Sequence, residues 1–153
     1  MSTRFGHVGI VVKDLDLMTE FFCEVLGFSF EHRFRRSGAW IDKVVGLKDV
    51  DLEIAILGTD SQKWTIELLK YHSHSDDVDN RRSNQLYANH ILIDVDDAFL
   101  TYRAMQKAGC QPFSEPLTSP NGAKTAFYAH DPEGGIIEIC ETHDESGTYP
   151  AST

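Results

Sequence analysis

Cysteine is scarce and unpatterned: three residues, Cys23, Cys110 and Cys140. An odd number without CxxC spacing, each inside an apolar pattern, argues against a disulfide framework and for reduced, buried thiols, so a cytoplasmic protein is expected. Basic residues are also few, 14 against 24 acidic ones, for a formal net charge of −10 with no extended Lys/Arg patch. That balance repels polyanions, so neither nucleic acid nor an anionic membrane surface is expected as a partner. No apolar run approaches the ~18 residues of a membrane span. The opening MSTRFGHVGIVV lacks a basic n-region and a small-residue cleavage site, so no export leader is expected. No GxGxxG or GxxxxGK occurs to suggest nucleotide binding.

What the chain does have is a repeat. The 153 residues suit about one domain of ordinary size and a real core. The stretch HVGIVVKDLDLMTEFFCEVLG, His7 to Gly27, returns in weaker form as HILIDVDDAFLTYRAMQKAG, His90 to Gly109. Each copy opens on histidine, alternates apolar residues as one strand, passes through Asp, runs one helical pattern and stops at Gly. A repeated strand-helix unit indicates a duplicated module.

In the first strand, alternation puts His7, Gly9 and Val11 on one face and Val8, Ile10 and Val12 on the other. Asp14 or Asp16 is expected to cap a helix whose stripe is Leu17, Met18, Phe21, Phe22, Val25 and Leu26, with Gly27 ending it. Three further strands follow from period-2 runs: Phe28 to Phe34, Asp51 to Leu57, and Trp64 to Lys70. The stretch from Arg35 to Val50 carries no assignment. Residues 72–85 are polar and aperiodic and read as a linker. The order then repeats: a strand from His90, a helix capped by Asp96 or Asp97 with Phe99, Leu100, Tyr102, Met105 and Ala108 apolar, and the Gly109 stop. A short strand near Gln111 to Phe113, the turn EPLTSPNG, a strand Lys124 to His130, the turn DPEGG and a strand Ile136 to Cys140 complete it. The organisation expected is a first βαβββ module over 1–71, the linker 72–85, a second βαβββ module over 86–141 and a polar tail over 142–153.

Duplication makes matched polar residues informative. His7 and His90 open the first strand of each half; Glu67 and Glu138 sit in the last, within WTIELL and GIIEIC. A carboxylate in an otherwise apolar strand costs several kcal/mol if buried and unpaired, so something cationic is expected to meet it. Two imidazoles and two carboxylates from duplicated halves make a mixed N/O ligand set for one divalent metal, with room for substrate oxygens. The plainer reading of each residue singly is a histidine with one hydrogen bond or a glutamate facing outward on an edge strand.

Set beside known families, the chain resembles the vicinal oxygen chelate superfamily, the glyoxalase I, methylmalonyl-CoA epimerase and extradiol dioxygenase group, over about Phe5 to Glu141. The residues that carry the resemblance are HVGIVVKDLDLMTEFFCEVLGF, WTIELL, NHILIDVDD and the closing FYAHDPEGGIIEICE, similar to an aromatic-x-x-DPDG-x-x-IE ending. It implies an α+β fold of two βαβββ modules forming a cup-shaped, incomplete barrel. His7, Glu67, His90 and Glu138 match its four metal-ligand positions, for one divalent ion such as Zn, Ni, Co, Mn or Fe. It also implies a small-molecule substrate and, with the edges of an open barrel to protect, a homodimer.

The chemistry expected is proton movement on a carbon beside a carbonyl through an enediolate, with Glu138 or Glu67 as base. The reading is a metal-dependent epimerase or isomerase acting on a hydroxyketone, a cyclitol or an acyl-CoA. A glyoxalase I (lactoylglutathione lyase) type isomerase is the near alternative. A metal-free binding or resistance protein and an Fe(II) extradiol dioxygenase are the others. Glu53 is a further acid-base candidate, set below an outward-facing role. Arg33, Arg35 and Arg36 could meet an anionic or hydroxylated substrate. His72 and His74 read as part of a solvated loop and His130 as a turn residue; Trp40, Trp64, Phe127 and Tyr128 could line a substrate wall, though core packing explains most aromatics.

Overall fold

The computed structural model describes residues 3, 6–59, 65–73, 82–86 and 88–143. The expectations for Phe5, Trp64, His74, most of the linker and the tail from residue 144 fall outside the described residues. The chain divides into two compact units, Met1–Val78 and Asp79–Thr153. Each carries an open, mixed sheet, and together they make the α+β class expected of the repeat.

In the first unit, β1 (His7–Val11), β2 (Ser29–Ser37), β3 (Asp51–Gly58) and β4 (Thr65–Tyr71) pair in the order β1-β4-β3-β2. β1 runs parallel to β4, and the other pairings are antiparallel. The parallel pair needs a crossover, which α1 (Leu15–Glu20) and a π-helical turn over Phe21–Val25 begin. Asp14 caps α1 by accepting from the Asp16 and Leu17 amides at 3.1 Å. Gly27, at φ +75°, supplies the left-handed exit that the Phe28 amide needs to bond the Phe22 carbonyl at 3.0 Å. Leu15, Met18 and Phe22 lose all exposure beneath α1, where Ile66, Leu68, Ala55 and Leu57 are equally buried in the sheet. Full burial of each of the larger of these side chains contributes ~1.5–3 kcal/mol.

Leu17 lies outside the stripe assigned to it, being 43% exposed, and Leu15 takes its place in the core. The helix begins one residue after Asp14, and counting from that cap turns Leu15 inward and Leu17 out. The unassigned stretch holds the end of β2 and a further helix, α2 (Ala39–Val45), so this half is more than βαβββ. Gly46 (φ +75°) ends α2, and the Asp42 carboxylate then accepts the Asp49 and Val50 amides at 3.2 and 2.9 Å. Ile41 and Val50 pack with Leu52, Ile54 and Ile56, joined by Phe34, Leu69 and Tyr71, on the face of the sheet away from α1.

The second unit repeats the plan. Here β5 (His90–Asp94), β6 (Gln111–Pro112), β8 (Lys124–His130) and β9 (Ile136–Thr142) lie in the order β5-β9-β8-β6. A short β7 (Leu117–Thr118), inside what reads as a turn in the sequence, pairs with β8. The crossover from parallel β5 to β9 contains α3 (Ala98–Lys107). Asp97 caps it through the Leu100 amide at 2.7 Å, and the Glu141 carboxylate, reaching from β9, accepts the Ala98 amide at 2.9 Å. Met105 is fully buried, and Tyr102 meets Phe127 edge to face at 5.4 Å. Phe99 and Leu100, expected in the stripe, are 48% and 59% exposed, so α3 buries the Ala98–Met105 side instead. Cys110 and Cys140 are buried free thiols, while Cys23 is half-buried. Among the described residues no helix is long and apolar enough to cross a membrane.

Candidate metal site

The parallel strand pair in each unit builds the same two-residue arrangement. His7 lies opposite Thr65, two residues before Glu67, and His90 lies opposite Ile136, two residues before Glu138. Because side chains two apart on a strand share a face, each histidine looks diagonally across at its glutamate. His7 Nδ1 is 3.6 Å from Glu67 Oε1, and His90 Nε2 is 3.1 Å from Glu138 Oε2. Both pairs sit on the face turned away from α1 or α3. The glutamates are the more enclosed partners, with side chains 23% and 15% exposed against 52% and 40% for the histidines. One nitrogen-oxygen pair is half of the donor set that a borderline divalent cation takes. Within each unit the donors number two, and no group of three or more His, Cys, Asp or Glu side chains able to hold an ion occurs among the described residues.

The second pair has an aromatic surround. Tyr128 stands opposite Glu138 in the β8–β9 register and donates its hydroxyl to Glu138 Oε2 at 2.9 Å, with His90 Nε2 3.3 Å from the phenol oxygen. The ring meets His90 edge to face at 5.0 Å and stacks on Phe113 at 6.3 Å. Burial first, then the bond to the Glu138 carboxylate, pushes the Tyr128 phenol above its ordinary value. A cleft of about 520 Å³ opens here, lined by His90, Tyr128, Phe113, Ser83 and Ser114 among others. The sequence marked Tyr128 only as a wall aromatic; its place ten residues before Glu138 becomes meaningful once the hairpin register is known. His130, on the same face, packs its ring on Phe113 at 4.7 Å.

Among the described residues the first pair has no such partner. Opposite Glu67 in the β3–β4 register stands Ile56. His32 and Phe34 stack at 5.5 Å on the same face, and the Arg36 guanidinium covers the Phe34 ring at 4.3 Å.

Glu53 belongs elsewhere. It projects from the helix-bearing face and accepts Arg33 Nε at 2.8 Å, with His72 Nε2 also at 2.8 Å. Arg33 first, then His72, hold its carboxyl down at about 2, so it is a locked ion-pair partner and not a base. Arg33 also grips Asp16, and Arg35 grips Asp51, which removes both from the substrate-binding set. Trp40 is 69% exposed on α2.

The DPEGG segment is structural. Asp131, 6% exposed, accepts the Glu133 and Gly135 amides through Oδ1 at 2.8 and 2.9 Å, and burial raises its carboxyl above the ordinary value against those bonds. Gly134 sits at φ +90°, and a Cβ on Gly135 would lie 2.4 Å from Asp131 Oδ2. The turn thereby starts β9 in the register that presents Glu138.

A duplicated α+β chain with one His–Glu diagonal per open sheet defines a vicinal oxygen chelate type of protein. The chain belongs to the Glyoxalase/Bleomycin resistance protein/Dioxygenase superfamily, whose model matches residues 4–139. It is 29% identical to the uncharacterised protein YwbC of Bacillus subtilis, over 91% of this chain and 98% of that one. A probable lactoylglutathione lyase of Synechocystis is 26% identical, over 89% and 93%. Among solved structures, a glyoxalase family protein from Bacillus cereus superposes with a TM-score of 0.85 at 27% identity, covering 93% of this chain and 95% of its own. The superfamily includes metal-dependent lyases and isomerases that act on small molecules.

Proposed function

We propose that this protein is a metal-dependent isomerase that moves a proton on a carbon adjacent to a carbonyl. The observation that carries the reading is the repeated diagonal, histidine two residues out of step with glutamate, in both units. One His–Glu pair is half a ligand set, so His7, Glu67, His90 and Glu138 together are the proposed ligands of one divalent ion. When bound, the ion supplies Lewis-acid polarisation of the substrate carbonyl. The residues supply the rest. The imidazoles would help hold the ion, and a glutamate carboxylate within reach of the substrate takes the α-proton and gives it back. The Phe113–Tyr128 wall and the cleft beside His90 receive the substrate's apolar part and exclude water from the transferred proton.

Two finer readings share this step. Return of the proton to the neighbouring carbon is glyoxalase I chemistry, supported by relatives named probable lactoylglutathione lyase at 26% and 27% identity. Return to the opposite face of the same carbon is epimerase chemistry, supported by a carboxylate in each half. A homodimer in the cytoplasm is part of the proposal, supported by the edge positions of β1, β2, β5 and β6.

The test is incubation of the metal-loaded protein in deuterated buffer with hemithioacetals, α-hydroxy ketones and acyl-CoAs. Deuterium at the α-carbon of one class, lost in the Glu67→Gln/Glu138→Gln double variant, is expected. A protein that takes up a divalent ion yet exchanges none of these protons would end the reading.

A further inference from the structure

Strand β2 carries three arginines, and alternation divides them between the two faces of its sheet. Arg33 and Arg35 turn to the helix-bearing face, where Asp16, Glu53 and Asp51 engage them. Arg36 falls on the other face with His32 and Phe34, and the three stack as a column. The His32 and Phe34 rings lie 5.5 Å apart with 21° between their planes, and the Arg36 guanidinium sits 4.3 Å over the same phenyl ring. Phe34 is the fixed member, half-buried and packed on the cluster that includes Ile41, Leu52, Ile54 and Ile56.

Neither His32 nor Arg36 has an acidic partner among the described residues. The Arg36 guanidinium makes one hydrogen bond there, a long one of 3.4 Å from Nη1 to the Arg35 carbonyl, and the His32 ring makes none. The chain has a net charge of −10, yet this arginine goes without a carboxylate while its two neighbours are paired. A guanidinium over an aromatic ring keeps its N–H edge free for an oxyanion and is held in place by the ring, so less ordering is needed when an anion arrives. The column shares a face with the His7–Glu67 pair. His32 pairs with Ile56 and Ile56 with Glu67, which puts His32 two strands, ~10 Å, from Glu67.

We propose that the His32–Phe34–Arg36 column is an oxyanion subsite for a carboxylate or phosphate group of the substrate, with Arg36 as the residue that selects for the charge. The proposal deepens the isomerase reading and rests on it only in calling the ligand a substrate. Ile56, between the column and Glu67, gives an apolar floor to the part of the molecule that joins the anionic group to the reacting carbon. Anionic members of the substrate classes named above are therefore favoured over neutral ones.

The probes are phenyl phosphate and benzoate, with benzyl alcohol as the neutral control. They are titrated into EDTA-treated full-length protein, without metal or turnover, and followed by the NMR signals of the arginine Nε–H groups and the histidine rings. Saturable binding of at least one anion is expected, with shifts centred on Arg36 and His32 and benzyl alcohol bound far more weakly. Losing a hydrogen bond to a charged group weakens binding by ~10-fold or more, so Arg36→Gln should lose that much affinity. Arg35→Gln removes the same charge from the opposite face and should stay within about threefold of wild type. Thermal unfolding checks that both variants fold, and the wild-type shifts stand without them. Shifts centred on Arg33 or Arg35, equal weakening in the two variants, benzyl alcohol bound as tightly as the anions, or a wild type that binds neither anion would each overturn the subsite. Those results leave the deuterium test of isomerisation untouched. A chain that exchanged no α-proton yet bound these anions at Arg36 would lose the isomerase reading and keep the subsite.

Discussion

Tyr128 faces Glu138 across β8 and β9 in the same register by which Ile56 faces Glu67 across β3 and β4. The duplicated sheets kept the backbone pairing and diverged at the side chain opposite the glutamate. A phenol on one side and a branched alkyl group on the other convert a symmetric pair of carboxylates into an asymmetric one.

The ion pair of Glu53 should show in the pH dependence of stability. Its carboxyl is lowered from 4.5 to about 2, by Arg33 first and His72 second. A lowered folded-state value means the stabilisation is complete above the unfolded value and fades as pH falls from about 4.5 toward 2. After solvent screening at the partly exposed Arg33, it should amount to about 1–2 kcal/mol. Urea unfolding of wild type and Glu53→Gln at pH 7, 4 and 2.5 should give a gap that closes toward the acid end. A gap that persists unchanged at pH 2.5 would refute it.

Removing the Asp131 carboxylate should cost more than most surface changes. Asp131→Ala leaves the part-buried Glu133 and Gly135 amide bonds without their acceptor and is expected to destabilise by about 1–3 kcal/mol. Asp131→Asn, which keeps one acceptor oxygen, should recover part of that. Gly135→Ala forces a methyl against Asp131 Oδ2 and should cost about 1–3 kcal/mol. Denaturant midpoints at neutral pH measure all three, and because the turn sets where β9 begins, these variants should also disturb Glu138, the carboxylate proposed as a metal ligand.

The thiols should be quiet. Burial, then the nearby Asp131 charge, pushes the Cys110 thiol up to about 12, and burial also raises Cys23. Alkylation with iodoacetamide at pH 8, read by mass spectrometry, should leave Cys110 unmodified until denaturant is added. Rapid native labelling at Cys110 would contradict the packing described.

Much of this architecture could be read along the chain because hydrophobic period is a local property. Period-2 runs gave strands Asp51–Gly58, Lys124–His130 and Ile136–Thr142 to within two residues, and one of the two candidate caps, Asp14, together with Gly27 marked the ends of one helical segment. The errors have local causes as well. Leu17, Phe99 and Leu100 are apolar and near the stripe, but helix phase is set by where the cap falls, and one residue turns a side chain through ~100°. α2 went unassigned because its seven residues are too few for a period to declare itself, and Trp40 and Val44 place apolar groups on its exposed side.

By itself the sequence determined the duplication, the alternation that sets His7 and His90 on the faces opposite their helices, and the glutamates that interrupt apolar strands. Those are consequences of side-chain period, which the order of residues fully specifies. Only the tertiary structure decided that Tyr128 meets Glu138, that Ile56 meets Glu67, and that Arg33 and His72 immobilise Glu53. The reason is physical: which residues touch across neighbouring strands depends on register, and register is settled by the turns and by the packing of the whole sheet.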